Sequence, residues 1–176
     1  SMAVVSSNQY SYPMSALVGL EISADQFAGL PICAYDTKGI EVLIPDGYTP
    51  TQYNVNDSTI TPAVYPGIWT GGLNSRAWTN NPAWIFYDIV TNKRYGLGRY
   101  IRPEWLDKWT LYQIAQFCDE MVDDGAGGLE PRFTCNVAIQ QPQDAYTLLN
   151  NLVSVFRGML YWANGSVFPV GGETRD

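Results

Sequence analysis

The chain has 176 residues, of which 46% are apolar and 15% charged, and its formal net charge is −7. So acidic a balance argues against nucleic-acid binding, which needs a basic face to displace counterions. The sequence holds no histidine, which removes Ser-His-Asp and Cys-His nucleophiles and the commonest metal ligand, and no apolar run of about 18 residues that would cross a membrane.

The length suits one domain, or two small ones sharing a core. Ser1-Met2 has the look of a scar left by tag removal, and residues 1–15 read as an extended arm with no apolar period. No signal peptide is visible. Ala16, Val18, Leu20 and Ile22 alternate with Leu17, Gly19 and Glu21, the pattern of a strand. Ile32–Asp36 and Ile40–Ile44 predict two more, joined as a hairpin by Thr37-Lys38-Gly39. Residues 45–81 are punctuated by Pro45, Pro50, Pro62 and Pro66 and by Gly47, Gly67, Gly71 and Gly72. A loop of that length is uncommon in a compact domain. Its polar part, residues 50–62, is expected to be mobile, with Tyr65, Ile68, Trp69 and Trp78 pinning the rest to the body.

A helix is predicted from about Pro82 to Asn92. Asn81 is its cap, Pro82 suits the first turn, and Ala83, Trp84, Phe86 and Val90 are its apolar positions. Asn92 is a stop that tolerates a left-handed cap. Gly96 and Gly98 imply a bend or a close approach. A second helix starts near Asp107 and ends before Gly125, with Leu111, Ile114, Ala115, Cys118, Met121 and Val122 on one face. Arg132 to Gln140 alternates as a strand, with Phe133, Cys135, Val137 and Ile139 on one side. Pro142 opens a third helix whose stripe is Ala145, Leu148, Leu149, Leu152, Val153 and Phe156, stopping at Gly158. Met159–Ala163 and Ser166–Val170 flank Asn164-Gly165, a strong hairpin signal. The expected fold is α+β. A β-rich first third (16–78) packs beside a three-helix plus antiparallel-sheet layer (79–176).

Ala77 to Gly98 (A-W-T-N-N-P-A-W-I-F-Y-D-I-V-T-N-K-R-Y-G-L-G) closely resembles the tail tip attachment protein J family, or host specificity protein family, of lambda-like siphophages. The resemblance continues through Trp109–Glu120, Glu130–Val137 and Leu152–Trp162, and Tyr65–Gly71 fits upstream. Several such motifs in this order, across most of Ala16 to Val170, are specific. The resemblance implies hub scaffold of a tail tip or baseplate: a homotrimer that closes the tail tube and contacts other tail-tip proteins. The host receptor would be met only by other parts of the full-length protein. It further implies a place at the virion tail tip after synthesis in the bacterial cytoplasm. The end at Asp176, just after Gly171-Gly172, suggests a cut from a longer chain.

No constellation points to a catalytic residue, a cofactor or a metal. Cys33, Cys118 and Cys135 are odd in number and lack zinc spacing, so they read as buried reduced thiols. Asp119, Glu120, Asp123 and Asp124 form one acidic cluster. A calcium site or a hydrolytic carboxylate pair is the functional reading, and a solvated helix end is the ordinary one. The ordinary reading is favoured, because no D-x-D-x-D-G loop is present. Gly96-Leu97-Gly98 and Gly125–Gly128 lack phosphate-cradle spacing and read as helix stops. Asn56-Asp57-Ser58 and Asn164-Gly165-Ser166 match the glycosylation pattern without a secretion signal. Lys93, Arg94, Arg99 and Arg102 make a basic patch that suits either an acidic partner or simple solubility. The candidate interface is therefore Tyr65, Trp69, Trp78, Lys93, Arg94 and Arg99. The aromatic content, with 12 Tyr and 6 Trp, leaves a glycan-binding module as the alternative function, since exposed rings stack on sugars.

Overall fold

A computed structural model of the chain describes residues 19, 32, 38–54, 58–138, 144–156, 158–163 and 166–171. The chain divides into two compact units, Ser1–Ile40 and Glu41–Asp176. In the first, the few described residues have no regular structure. The predicted strands at Ala16–Ile22 and Ile32–Asp36 lie outside the described residues save for Gly19 and Ile32, as do Thr37 of the predicted turn, Cys33, Pro142 and Asn164-Gly165.

The second unit is α+β, the class the sequence predicts, with three helices and short antiparallel ladders among the described residues. Strand β1 (Val42–Ile44) pairs with β4 (Ser75–Ala77), Val42 standing opposite Ala77. Val42 and Ile44 are buried and Leu43 between them is half-buried, the period-2 pattern of a ribbon with one covered face. Between these strands the polar stretch forms a hairpin, β2 (Gln52–Asn54) with β3 (Thr59–Thr61), closed further out by a bridge between Thr49 and Val64. This replaces the irregular loop expected there. Tyr53 faces Ile60, flanked by polar residues in strict alternation, a strand signal that the surrounding prolines obscure.

Helix α1 (Pro82–Thr91) begins as predicted. The Asn81 side chain accepts from the Ala83 amide, and Pro82 occupies the first turn. Its end differs in kind. Asn92 caps the helix with extended backbone (φ −74°, ψ 124°), so no left-handed cap forms. The trailing loop does that work instead. Gly96 and Gly98 donate to the Asn92 carbonyl at 3.1 Å each, and Leu97 donates to Ile89 O at 2.9 Å. Helix-end carbonyls that lack intrahelical partners are thereby satisfied. The approach demands glycine: a Cβ on Gly96 would sit 1.9 Å from Ile89 O, and one on Gly98 2.0 Å from Thr91 O.

After a 3-10 turn at Pro103–Trp105 comes α2 (Lys108–Asp119). Asp107 caps it, its carboxylate accepting from the Trp109 and Thr110 amides. The helix ends earlier than its apolar pattern suggests. Met121 and Val122 belong not to the helical face but to β5 (Met121–Asp123), paired with β6 (Leu129–Pro131). Tertiary bonds take over the chain here: Arg132 N donates to Glu120 O at 2.9 Å and Phe133 N to Cys118 O at 3.1 Å. Gly125 (φ 76°) and Gly127 (φ 93°) supply the left-handed backbone for the reversal. The Gly125–Gly128 run is thus a hairpin loop and not a helix stop. The strand expected over Arg132–Gln140 is absent among the described residues. The ladder stops at Pro131, and the Cys135 amide goes to Asn80 O at 2.8 Å.

Helix α3 (Ala145–Val155) is capped by Asp144, which accepts from Thr147 N. Leu149, Leu152, Val153 and Phe156 are buried as predicted. Strands β7 (Gly158–Ala163) and β8 (Ser166–Gly171) pair with Ala163 opposite Ser166, so a two-residue connection joins them. The helix ends at Val155 with Phe156 as its cap, just before the stop predicted at Gly158, and Gly158 begins β7. Helix α1 packs against α2, α3 and β1, while α3 lies on β7 and α2 touches β8.

Candidate functional site: an aromatic core and a basic groove

Trp84 is fully buried at the centre of an aromatic nest. It stands 6.1 Å from Tyr48, 6.4 Å from Trp69 and 6.2 Å from Tyr112, ring centre to ring centre. Trp69 stacks on Tyr112 at 4.5 Å, nearly parallel, and meets Trp109 edge-on at 4.9 Å. Its indole N–H donates to Gly72 O at 2.9 Å, so both its apolar face and its polar edge are used within the chain. Lys108 completes this corner. Its ammonium donates to Gly71 O at 2.7 Å and lies over the Trp109 ring at 5.6 Å.

Beneath the nest is a buried carboxylate. Asp119 accepts from the Tyr48 hydroxyl at 2.7 Å and from the Tyr65 hydroxyl at 2.6 Å, both on the same oxygen. Burial raises its pKa above the usual carboxylate value, and the bonds from Tyr65, Tyr48 and Asn81 oppose that rise. The two phenols are pushed well above their ordinary range, first by burial and further by Asp119. Asp119 therefore does not belong to a solvated helix end. It is a polar tie between α2 and the loop carrying Tyr48 and Tyr65. The rest of the acidic cluster is exposed. Glu120 pairs with Arg132 at 2.8 Å, and Asp123 and Asp124 accept amides of their own hairpin loop. Among the described residues no three His, Cys, Asp or Glu side chains group as a metal site would require, and no helix is long and apolar enough to cross a membrane.

The six candidate interface residues separate into two places. Trp69 is 8% exposed and Tyr65 half-buried, so both rings are spent on the chain's own core. Trp78 is half-buried against Tyr53, edge-on at 6.2 Å. Lys93, Arg94 and Arg99 are exposed. Lys93 and Arg99 line an open groove of about 760 Å³ with Gly98, Arg102, Pro103, Glu104 and Trp105. The Arg102 guanidinium lies over the Trp105 ring at 5.9 Å, and Arg99 Nε donates to the Lys93 carbonyl. Trp105 is the member that sequence reasoning missed, because a single tryptophan after Pro103-Glu104 carries no spacing signal. Asp119 is visible in the sequence only as one of an acidic cluster, and its buried role is not, because its tyrosine partners lie 54 and 71 residues away.

Cys118 and Cys135 are buried and unbridged, as expected. Burial, helped by Asp119, pushes the Cys118 thiol up to about 12.

No family model matches the chain. Tip attachment protein J of Escherichia phage SECphi4 is 43% identical over 153 residues, covering 87% of this chain and 12% of the relative. Tip attachment protein J of Escherichia phage SECphi27 is 37% identical over 177 residues, covering 100% of this chain and 14% of the relative. The chain thus spans about an eighth of the length of the curated relatives it matches. The motifs from Tyr65 to Trp162 pointed the same way, and across most or all of its length the chain is homologous to a segment of the phage tip attachment protein J.

Proposed function

We propose that this chain is scaffold of a siphophage tail tip: a hub segment of the attachment protein that closes the tail tube. In this reading it works as one protomer of a homotrimer, touches other tail-tip proteins, and catalyses no reaction. Receptor contact falls to other parts of the full-length protein. The observation that carries the reading is the homology along the whole chain to tip attachment proteins J. The geometry supports it. Trp69, Trp84, Tyr65 and Asp119 are used to lock a loop onto two helices, which is how a rigid part is made. Trp69 and Trp84 face inward, and the rings that stay exposed, among them Tyr100, Trp105, Trp109 and Tyr146, belong to separate stretches of the sequence. Antibodies raised against the 176-residue chain and applied to virions carrying the full-length protein test it by electron microscopy. Label confined to the tail tip is expected. Label on the head or along the tail shaft would refute it.

A further inference from the structure

Four of the chain's ten Lys and Arg residues fall within residues 93–102, although its net charge is −7. Lys93, Arg99 and Arg102 share the open groove with a single carboxylate, Glu104, and with the exposed ring of Trp105. None of these three cations forms an ion pair among the described residues, where the pairs are Arg76–Asp88 and Arg132–Glu120. A surface of opposite sign exists on the same unit. The β5–β6 hairpin projects Asp123, Asp124 and Glu130, all exposed, and they too form no ion pair among the described residues. The one cation on its flank, Arg132, is already taken by Glu120.

We infer that the basic groove around Lys93, Arg99 and Arg102 receives the acidic β5–β6 hairpin of a second copy of this chain. Two complementary patches at different places on one molecule, unpaired with each other within it, meet by a head-to-tail contact between copies. Such a contact repeated by rotation closes a ring, so the inference deepens the assembly part of the proposed function. Charge complementarity selects the hairpin as occupant. Its carboxylates are held forward by a loop whose amides Asp123 and Asp124 already bond, so little ordering remains to be lost on docking. Trp105 and the Arg102 guanidinium stacked on it give the groove a flat wall for the exposed Leu129 beside Glu130. Patches of this size bury less than ~1,000 Å² and bind weakly by themselves. The contact is therefore salt-sensitive, and the remainder of the long protein reinforces it.

Lys93 is the groove's reactive amine, which makes the contact readable. Unlabelled and 15N-labelled chains are mixed at low ionic strength and treated with a zero-length carbodiimide. Isotope-mixed cross-links from Lys93 to Asp123, Asp124 or Glu130 are expected, falling several-fold as salt is raised to about 0.5 M. Arg99→Glu/Arg102→Glu should abolish them, and mixing that variant with Glu130→Lys should restore isotope-mixed cross-links. Glu130→Lys leaves the bonds of Asp123 and Asp124 to their loop intact, so the hairpin keeps its shape. Cross-links within one isotope only, isotope-mixed cross-links that join Lys93 to other carboxylates instead, or charge-reversed variants that behave like the parent would each overturn the inference. Label at the tail tip is independent of this result, so the two ideas fail separately.

Discussion

Replacing Asp119 tests the polar tie beneath the aromatic nest. Asp119→Ala removes the acceptor of two phenols at once. Tyr48 is 5% exposed, so its hydroxyl loses its carboxylate partner with almost no water to replace it, a cost of about 1–3 kcal/mol. Tyr65 is half-buried and regains part of its loss from solvent. Losing the buried carboxylate also removes its desolvation penalty, which offsets some of the damage. The expected net loss at pH 7 is about 2–3 kcal/mol, measured by urea unfolding with tryptophan fluorescence. Asp119→Asn keeps an acceptor and should lose less. The pH dependence gives a second reading. Burial raises the folded-state pKa above the ordinary carboxylate value, so the folded chain holds the Asp119 proton where the unfolded chain has released it. That contribution to stability is fully present below the unfolded value and is lost as pH rises through the raised one. The Asn variant should lack this fall. An Ala variant within about 0.5 kcal/mol of the parent, or an Asn variant with the same slope, would refute the reasoning.

Gly96→Ala should cost more than about 2 kcal/mol, because the carbonyl it would meet belongs to the α1 backbone and cannot swing aside. Gly125→Ala should cost about 1 kcal/mol, for its positive φ alone, since open space surrounds it; urea midpoints decide both. Trp69→Ala should lose about 3–5 kcal/mol, and a loss under about 1 kcal/mol would return its ring to the candidate interface. Cys118 should resist a disulfide reagent at pH 8 in the native state and react fully in denaturant, because its thiol is pushed up to about 12; rapid native labelling would show that the α2 face opens.

What could be read from the sequence was local. Asn81-Pro82 and the α3 stripe work through bonds and spacings within one or two turns, and the structure places both helices where they indicate. The pinning of the loop from Tyr65 to Trp78 to the body holds for Trp69, which stacks on Tyr112, and fails for Ile68, whose side chain is exposed. The same ring fits an interface equally well by sequence, because a tryptophan in a loop looks alike in both roles until its partners are known. The end of α2 was illegible for a related reason. Met121 and Val122 continue the apolar period of Leu111, Ile114 and Cys118, and only the backbone bonds from Arg132 and Phe133 break it. Lys93 and Arg99 were visible as charge. That they share a groove with Trp105 depends on the path of the loop after α1.

That path is tied to Asp88 as well as to the α1 carbonyls, which makes α1 more than a packing element. Two-stranded ribbons such as β1–β4 are marginal alone and take their stability from what covers them. Asp88 is fully buried on α1 and gathers the ribbon and the loop to one point. It accepts from Leu43 N at 3.2 Å on β1, lies 3.5 Å from Arg76 on β4, and accepts from the Tyr95 hydroxyl in the loop. Removing one partner of such a set leaves a buried charge poorly matched, a cost of several kcal/mol. The exposed side chains a few residues further on, Lys93, Arg99 and Arg102, carry no such duty. Changes there should leave the fold intact and alter what it meets, and that division of labour is what a scaffold needs if its surface is to change while its core does not.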